Sequence, residues 1–131
     1  MSGIDDFLAE ARAELKRVTP QELNDLRGGD TLIIDTRPLH NRVAEGEIPD
    51  SIPVERIVLE WRLDPAGDHR LPGFTADTTV VVLCNEGYSS SLAARDLRRV
   101  GLPKATDLIG GFRGWVEAGL PIREGGTQAV T

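Results

Sequence analysis

The chain has one cysteine, Cys84, and the residues around it bear on whether that sulfur reacts. In the stretch "VVVLCNEGYSSSLAARDLRRVG", residues 80–101, an apolar run stops at the cysteine, a short loop built around Gly87 follows, and three serines open an amphipathic segment. The nucleophilic form of cysteine is the thiolate, which is favoured beside hydrogen-bond donors and at helix N-termini. Gly87 permits backbone dihedrals closed to other residues, so the amides of Asn85, Glu86, Gly87, Tyr88, Ser89 and Ser90 can turn toward one spot. A helix starting near Ser89 adds the positive end of its dipole. The hydroxyls of Ser89 and Ser90 either donate to the sulfur or cap that helix. A free cysteine is otherwise a small buried hydrophobe; the glycine-centred loop and the serine-rich helix start favour a reactive one. The pattern predicts a cradle for an anionic sulfur.

The elements that must position this loop follow from apolar periodicity. Residues 80–83 and the segment "TLIIDTR" are short, β-branched apolar runs of the kind found in strands buried on both faces. Asp35 and Arg37 close the second of these, where mutual pairing and loop anchoring are expected. Residues 89–100 read as a helix with Gly101 behind it, "ATDLIGG" as a further strand and turn, and "FRGWVEAG" as a last short helix. "TPQELNDLRGG" carries a capping box, with Thr19 and Glu22 reciprocally placed and Pro20 at the first helical position. Ahead of it, Ile4, Phe7, Leu8, Ala11, Leu15 and Val18 recur at helical spacing, so residues 1–18 are expected to form an amphipathic helical extension. Residues 38–53 read as a long ordered loop with a brief strand at 52–54, "ERIVLEWRLDP" as a short helix that Pro65 stops, and the tail 124–131 as flexible. Alternating strands and helices predict an α/β domain whose mostly parallel central sheet has helices on both faces. A ligand site in such a sheet lies outside the carboxyl ends of the strands, where Cys84 falls.

Composition removes several function classes. The 131 residues, 40% hydrophobic and 27% charged, suit a single compact domain, and no repeat or internal boundary is visible. A net charge of −6 opposes nonspecific attraction to nucleic acid or a membrane surface. No apolar run approaches the roughly 20 residues of a membrane span. One cysteine and two histidines, His40 and His69, supply neither an internal disulfide nor a metal site, so no cofactor is expected. The opening "MSGIDDFLAEARAEL" has neither a basic start nor a continuous apolar segment; no signal peptide is expected, and the cytoplasm is the expected compartment.

With those residues assembled, the chain resembles a single-domain rhodanese-like (sulfurtransferase) protein over residues 19–122. The resemblance lies in "IIDTR", in "GEIPDSIPV" where the family has a Gly-His-Ile-Pro-Gly-Ala segment, in the loop "CNEGYS" with the helix "SSLAARDLRRVG", and in "LIGGFRGWVEAGLPI". It implies a three-layer rhodanese fold spanning 19–123. It also implies sulfur transfer in which Cys84 becomes a persulfide and residues 85–90 bind the substrate. The implied partners are a small sulfur donor and a thiol, cyanide or protein acceptor. The alternative is a noncatalytic rhodanese-like binding or regulatory module. Departures are Asn85 and Glu86 in place of cationic loop residues, Glu47 in place of histidine, and Asp50 and Ser51 in place of Gly-Ala. Glu86 is expected to repel a dianion such as thiosulfate and to push the thiol pKa up. A cysteine phosphatase uses a similar cradle, but its loop is one residue longer and closes on an arginine; Ser90 and Ser91 stand there instead.

Overall fold

A computed structural model describes residues 2–131. Four strands, β1 (Thr31–Asp35), β2 (Ile52–Pro53), β3 (Thr79–Leu83) and β4 (Ala105–Asp107), form an all-parallel sheet in the order β2-β1-β3-β4. Register pairs Thr31 with Thr79 and Asp35 with Leu83, so β1 and β3 end level with one another. Side chains alternate along each strand. Ile34, Val80 and Val82 therefore join one core with Leu59, Ala93, Ala94 and Leu97, while Ile33, Val81 and Leu83 join a second with Leu23, Phe112 and Trp115. The first core is covered by α4 (Leu59–Arg62) and α5 (Ser89–Arg99), the second by α2 (Pro20–Leu26) and α6 (Gly111–Glu117). This three-layer arrangement is the predicted α/β class.

The capping box at Thr19 is formed, Thr19 Oγ1 accepting from the Glu22 amide and Glu22 accepting from the Thr19 amide. Gly101 follows α5 at φ 122°, a backbone conformation open to glycine.

Three expectations need correction. The N-terminal helix, α1 (Gly3–Ala13), stops before Leu15 and Val18. Val18 instead pairs in parallel with Leu108, its amide donating to Asp107 O at 3.1 Å, because β4 is an edge strand with unpaired backbone groups. Residues 38–53 contain a helix, α3 (Leu39–Glu45), that lacks an apolar stripe because its buried residue is Arg42. The tail is held in place at the opposite edge: Val130 bridges Val54 and exchanges hydrogen bonds with Pro53 O and the Glu55 amide at 2.9 Å each. Thr127 Oγ1 adds a bond to buried Glu47 at 2.7 Å. Few apolar side chains were visible in that segment because backbone pairing and one hydroxyl do the anchoring. The two terminal segments thus cover the two edges of the sheet.

Candidate functional site

Cys84 is the first residue past β3, and only 8% of its surface is exposed. Its strand is fixed laterally by Thr36, whose amide and hydroxyl both donate to Leu83 O, at 3.0 and 2.9 Å. The loop then folds back so that the Gly87 amide donates to Cys84 Sγ at 3.2 Å. Gly87 has φ 89°, the left-handed region that favours glycine.

The glycines of "LIGGF" form the floor of this loop. A Cβ on Gly111 would lie 2.6 Å from Cys84 O and 2.7 Å from Asn85 C, and one on Gly87 would lie 2.8 Å from Gly110 N. Two backbones meet here with no room for side chains. The start of α6 uses this closeness: the Phe112 amide donates to Cys84 O at 2.9 Å and the Arg113 amide to Asn85 O at 3.1 Å. The loop carbonyls are thereby drawn away from the sulfur, which leaves the opposite side of the loop to its amides.

Helix α5 begins without a side-chain cap. Ser90 Oγ and Ser91 Oγ each donate to Asp107 Oδ2 at 2.8 Å, so the Ser90 hydroxyl bonds a partner that neither expectation named. Burial pushes the Cys84 thiol up, but the Ser90 hydroxyl and amide, the Ser89 hydroxyl and the Gly87 amide outweigh it, holding the thiol below its ordinary range. A hydroxyl has one proton, and that of Ser90 is committed to Asp107. The Gly87 and Ser90 amides and the Ser89 hydroxyl are therefore the donors left to a thiolate.

At the front of the loop, Glu86 and Tyr88 are exposed, and Asn85 is half-buried with Oδ1 lacking a partner. Glu86 does not stand alone. Arg113 lies 3.1 Å from it and 3.3 Å from Glu45, so the two carboxylates share one cation at the front of the loop. Beneath the site, Arg37 binds Asp35 at 2.8 Å, donates to Gly46 O at 2.8 Å and lies 3.9 Å from the Phe112 ring centroid. Both side chains are buried, and they tie the β1 end to the segment after α3. Asp50 adopts φ 76° and pairs with Arg27 at 3.3 Å, while Ser51 Oγ donates to Ile48 O. Among the described residues no cluster of three His, Cys, Asp or Glu side chains is placed to hold a metal ion. A hollow of about 540 Å³, lined by Lys16, Arg98, Lys104 and Thr106 among others, lies at the amino ends of β3 and β4, away from Cys84.

Sequence reasoning missed Arg12, Arg17, Asp107 and Arg113. Asp107 had a signal: an aspartate in the apolar strand "ATDLI" must find partners. The arginines had none, since nothing in the sequence says which loop they face.

A family model for the rhodanese-like domain matches residues 19–118. The chain belongs to the rhodanese-like family. A thiosulfate sulfurtransferase GlpE of Stutzerimonas stutzeri is 32% identical over 106 residues, covering 78% of this chain and 85% of the relative. An adenylyltransferase and sulfurtransferase MOCS3-1 of Zea mays is 34% identical over 105 residues, covering 78% of this chain and 22% of the relative. The chain therefore spans about a fifth of that relative's length. A solved structure from Rhodopseudomonas palustris, described as a protein of unknown function and possible tyrosine phosphatase, superposes with a TM-score of 0.84 at 32% identity. That match covers 94% of this chain and 96% of that one, and so includes much of the segment ahead of the rhodanese-like match.

Proposed function

We propose that this rhodanese-like domain is a sulfurtransferase whose carrier is Cys84. The observation that carries this is the Gly87 amide on Cys84 Sγ, in a six-residue loop whose thiol is held below its ordinary range. The thiolate attacks the sulfane sulfur of a donor; the new S–S bond makes a Cys84 persulfide, and the donor's own S–S bond breaks, its electron pair leaving with the remainder, sulfite in the case of thiosulfate. A nucleophilic acceptor, a thiol or cyanide, then attacks the outer sulfur, and the electron pair returns to Cys84. The persulfide is itself an anion, so one set of fixed amides serves both stages without reorganising. Thiosulfate use by the GlpE relative supports the reaction class.

The test is intact mass after incubation with thiosulfate and with an uncharged persulfide donor. A reducible gain of one sulfur on wild type, absent in Cys84→Ser, is expected. A chain that never gains sulfur from either donor is a noncatalytic binding module instead. The description of the Rhodopseudomonas protein favours a second reading, phosphate-ester hydrolysis. Against it, Ser90 and Ser91 take the positions of a phosphate-clamping arginine and are turned to Asp107. No turnover of an aryl phosphate is expected; robust turnover lost in Cys84→Ser reverses the assignment.

A further inference from the structure

The Gly87 carbonyl points to the back of the loop, where it accepts two charged hydrogen bonds, from Arg12 Nη2 at 2.7 Å and from Arg17 Nη2 at 3.0 Å. Both arginines precede the residues that match the rhodanese-like family. Arg12 lies in the last turn of α1, and Arg17 in the segment that pairs with β4. They belong to one network. Arg17 grips Asp107 with Nε at 2.8 Å and Nη2 at 3.2 Å, and Arg12 Nε donates at 3.1 Å to Ser91 Oγ, which itself donates to Asp107.

We propose that Arg12 and Arg17 are positioning residues for Cys84, acting through the Gly87 carbonyl to fix the amides that face the sulfur. The proposal rests on Cys84 being the reactive group of the domain. Gly87 lacks a Cβ and is the torsionally softest point of the loop, and its two flanking peptides carry the Gly87 and Tyr88 amides. Pinning its carbonyl from behind fixes ψ at Gly87, and so the path of the chain from the Gly87 amide, which donates to Sγ, to the Ser90 amide at the start of α5. Two cations on that carbonyl also place positive charge directly behind the loop, which favours the charged form of the sulfur. The charged groups around the loop are Asp107 with the two arginines behind, Glu86 and Arg113 in front, and the Asp35–Arg37 pair below. Glu86 and Glu45 share Arg113, Asp35 pairs with Arg37 and Asp107 with Arg17; Arg12 has no carboxylate partner among its hydrogen bonds, donates to the Gly87 carbonyl and lies 5.8 Å from the Tyr88 ring centroid.

Arg12 gives the cleaner variant, because removing Arg17 would strand the buried Asp107 carboxylate. The experiment is a pH profile of Cys84 alkylation, which needs no sulfur donor and so stands apart from the test of sulfur transfer. Arg12→Ala is expected to move the alkylation midpoint upward by roughly half to one pH unit. Arg12→Lys, which keeps the charge and one donor, is expected to recover at least half of that shift. Glu14→Ala serves as the control for loosened docking, since it breaks the 3.0 Å ion pair between Glu14 and Arg99 of α5 and does not touch Gly87. Its midpoint is expected at the wild-type value. The proposal is overturned by an unmoved midpoint in Arg12→Ala, by a lysine variant no better than alanine, or by an equal shift in Glu14→Ala. If the midpoints behave as expected but no sulfur is ever loaded, the positioning role stands and the sulfurtransferase assignment falls.

Discussion

Glu47 and Cys84 are both buried groups whose charged form burial disfavours, and the domain answers them in different ways. Around Glu47, Arg42 at 2.7 Å, Arg123 at 2.9 Å and the Thr127 hydroxyl at 2.7 Å occupy the carboxylate oxygens. Burial pushes its pKa up, but the Thr127 hydroxyl and the two arginines more than reverse this and lower it from 4.5 to about 2. Around Cys84 the contacts come from its own loop, the Gly87 and Ser90 amides with the Ser89 hydroxyl, and the cations stand one peptide behind, on the Gly87 carbonyl. A carboxylate locked between arginine forks is inert and structural. A sulfur held by fixed dipoles has its charged form favoured without a counterion bonded to it, so its lone pairs remain free for an incoming electrophile. On the function proposed above, the difference between direct ion pairing and dipole cradling is what separates an anchor from a nucleophile in this fold.

The largest expected effect breaks the Glu47 side of the comparison. Glu47→Gln leaves the Arg42 guanidinium buried without its carboxylate and is expected to cost about 3 kcal/mol in urea denaturation, with the Cys84 alkylation midpoint unmoved. A loss under about 1 kcal/mol would show that the cluster is not the anchor described. Gly111→Ala strikes the other side. A methyl 2.6 Å from Cys84 O, at φ 60°, must displace the loop, so a stability loss of about 2 to 3 kcal/mol and at least a tenfold drop in sulfur loading are expected. Loading at the wild-type rate would contradict the close backbone contact.

Acid titration sharpens the comparison further. Because the folded-state pKa of Glu47 is depressed, its contribution is full above about 4.5 and is lost as pH falls toward about 2, where the native carboxylate finally protonates. Wild type should lose on the order of 2 to 3 kcal/mol through that window from this residue, and Glu47→Gln should show a correspondingly flatter profile. Identical slopes would refute the assignment. The smallest effect concerns donor charge. Glu86 is exposed and already paired with Arg113, so Glu86→Lys should speed loading from thiosulfate only about two- to fivefold, with little change for an uncharged donor and a smaller gain at high salt. Equal acceleration of both donors would show that Glu86 does not act through charge.

Much of this was legible in the sequence, for local reasons. β-branched runs, a capping box and the glycines after α2 and α5 are encoded within a few residues, so β1, β3, α2, α5 and the Cys84 loop could be placed without the tertiary structure. Helix α3 and the tail were not, because each is anchored by a polar group whose partner is distant: Arg42 reaches Thr127 O, and Val130 reaches β2. Arg95 gave the same difficulty. A charged residue in the amphipathic segment 89–100, it is nonetheless buried, with its guanidinium carbon 4.8 Å from the Phe7 ring centroid, because α1 covers α5.

The sequence by itself determined that a lone cysteine ends an apolar strand, that a glycine free to adopt unusual dihedrals follows in the loop, and that a helix starts directly after it. These are properties of adjacent residues, fixed by sterics and periodicity. Only the tertiary structure decided which groups stand around that loop. It laid Gly110 and Gly111 beneath it, set Arg113 against Glu86, turned Ser90 and Ser91 toward Asp107, and brought Arg12 and Arg17 up behind Gly87. The reason is range: side-chain charges and backbone approach act over a few ångströms of space, and residues 12 and 87 are neighbours only after the sheet edge has recruited the N-terminal segment.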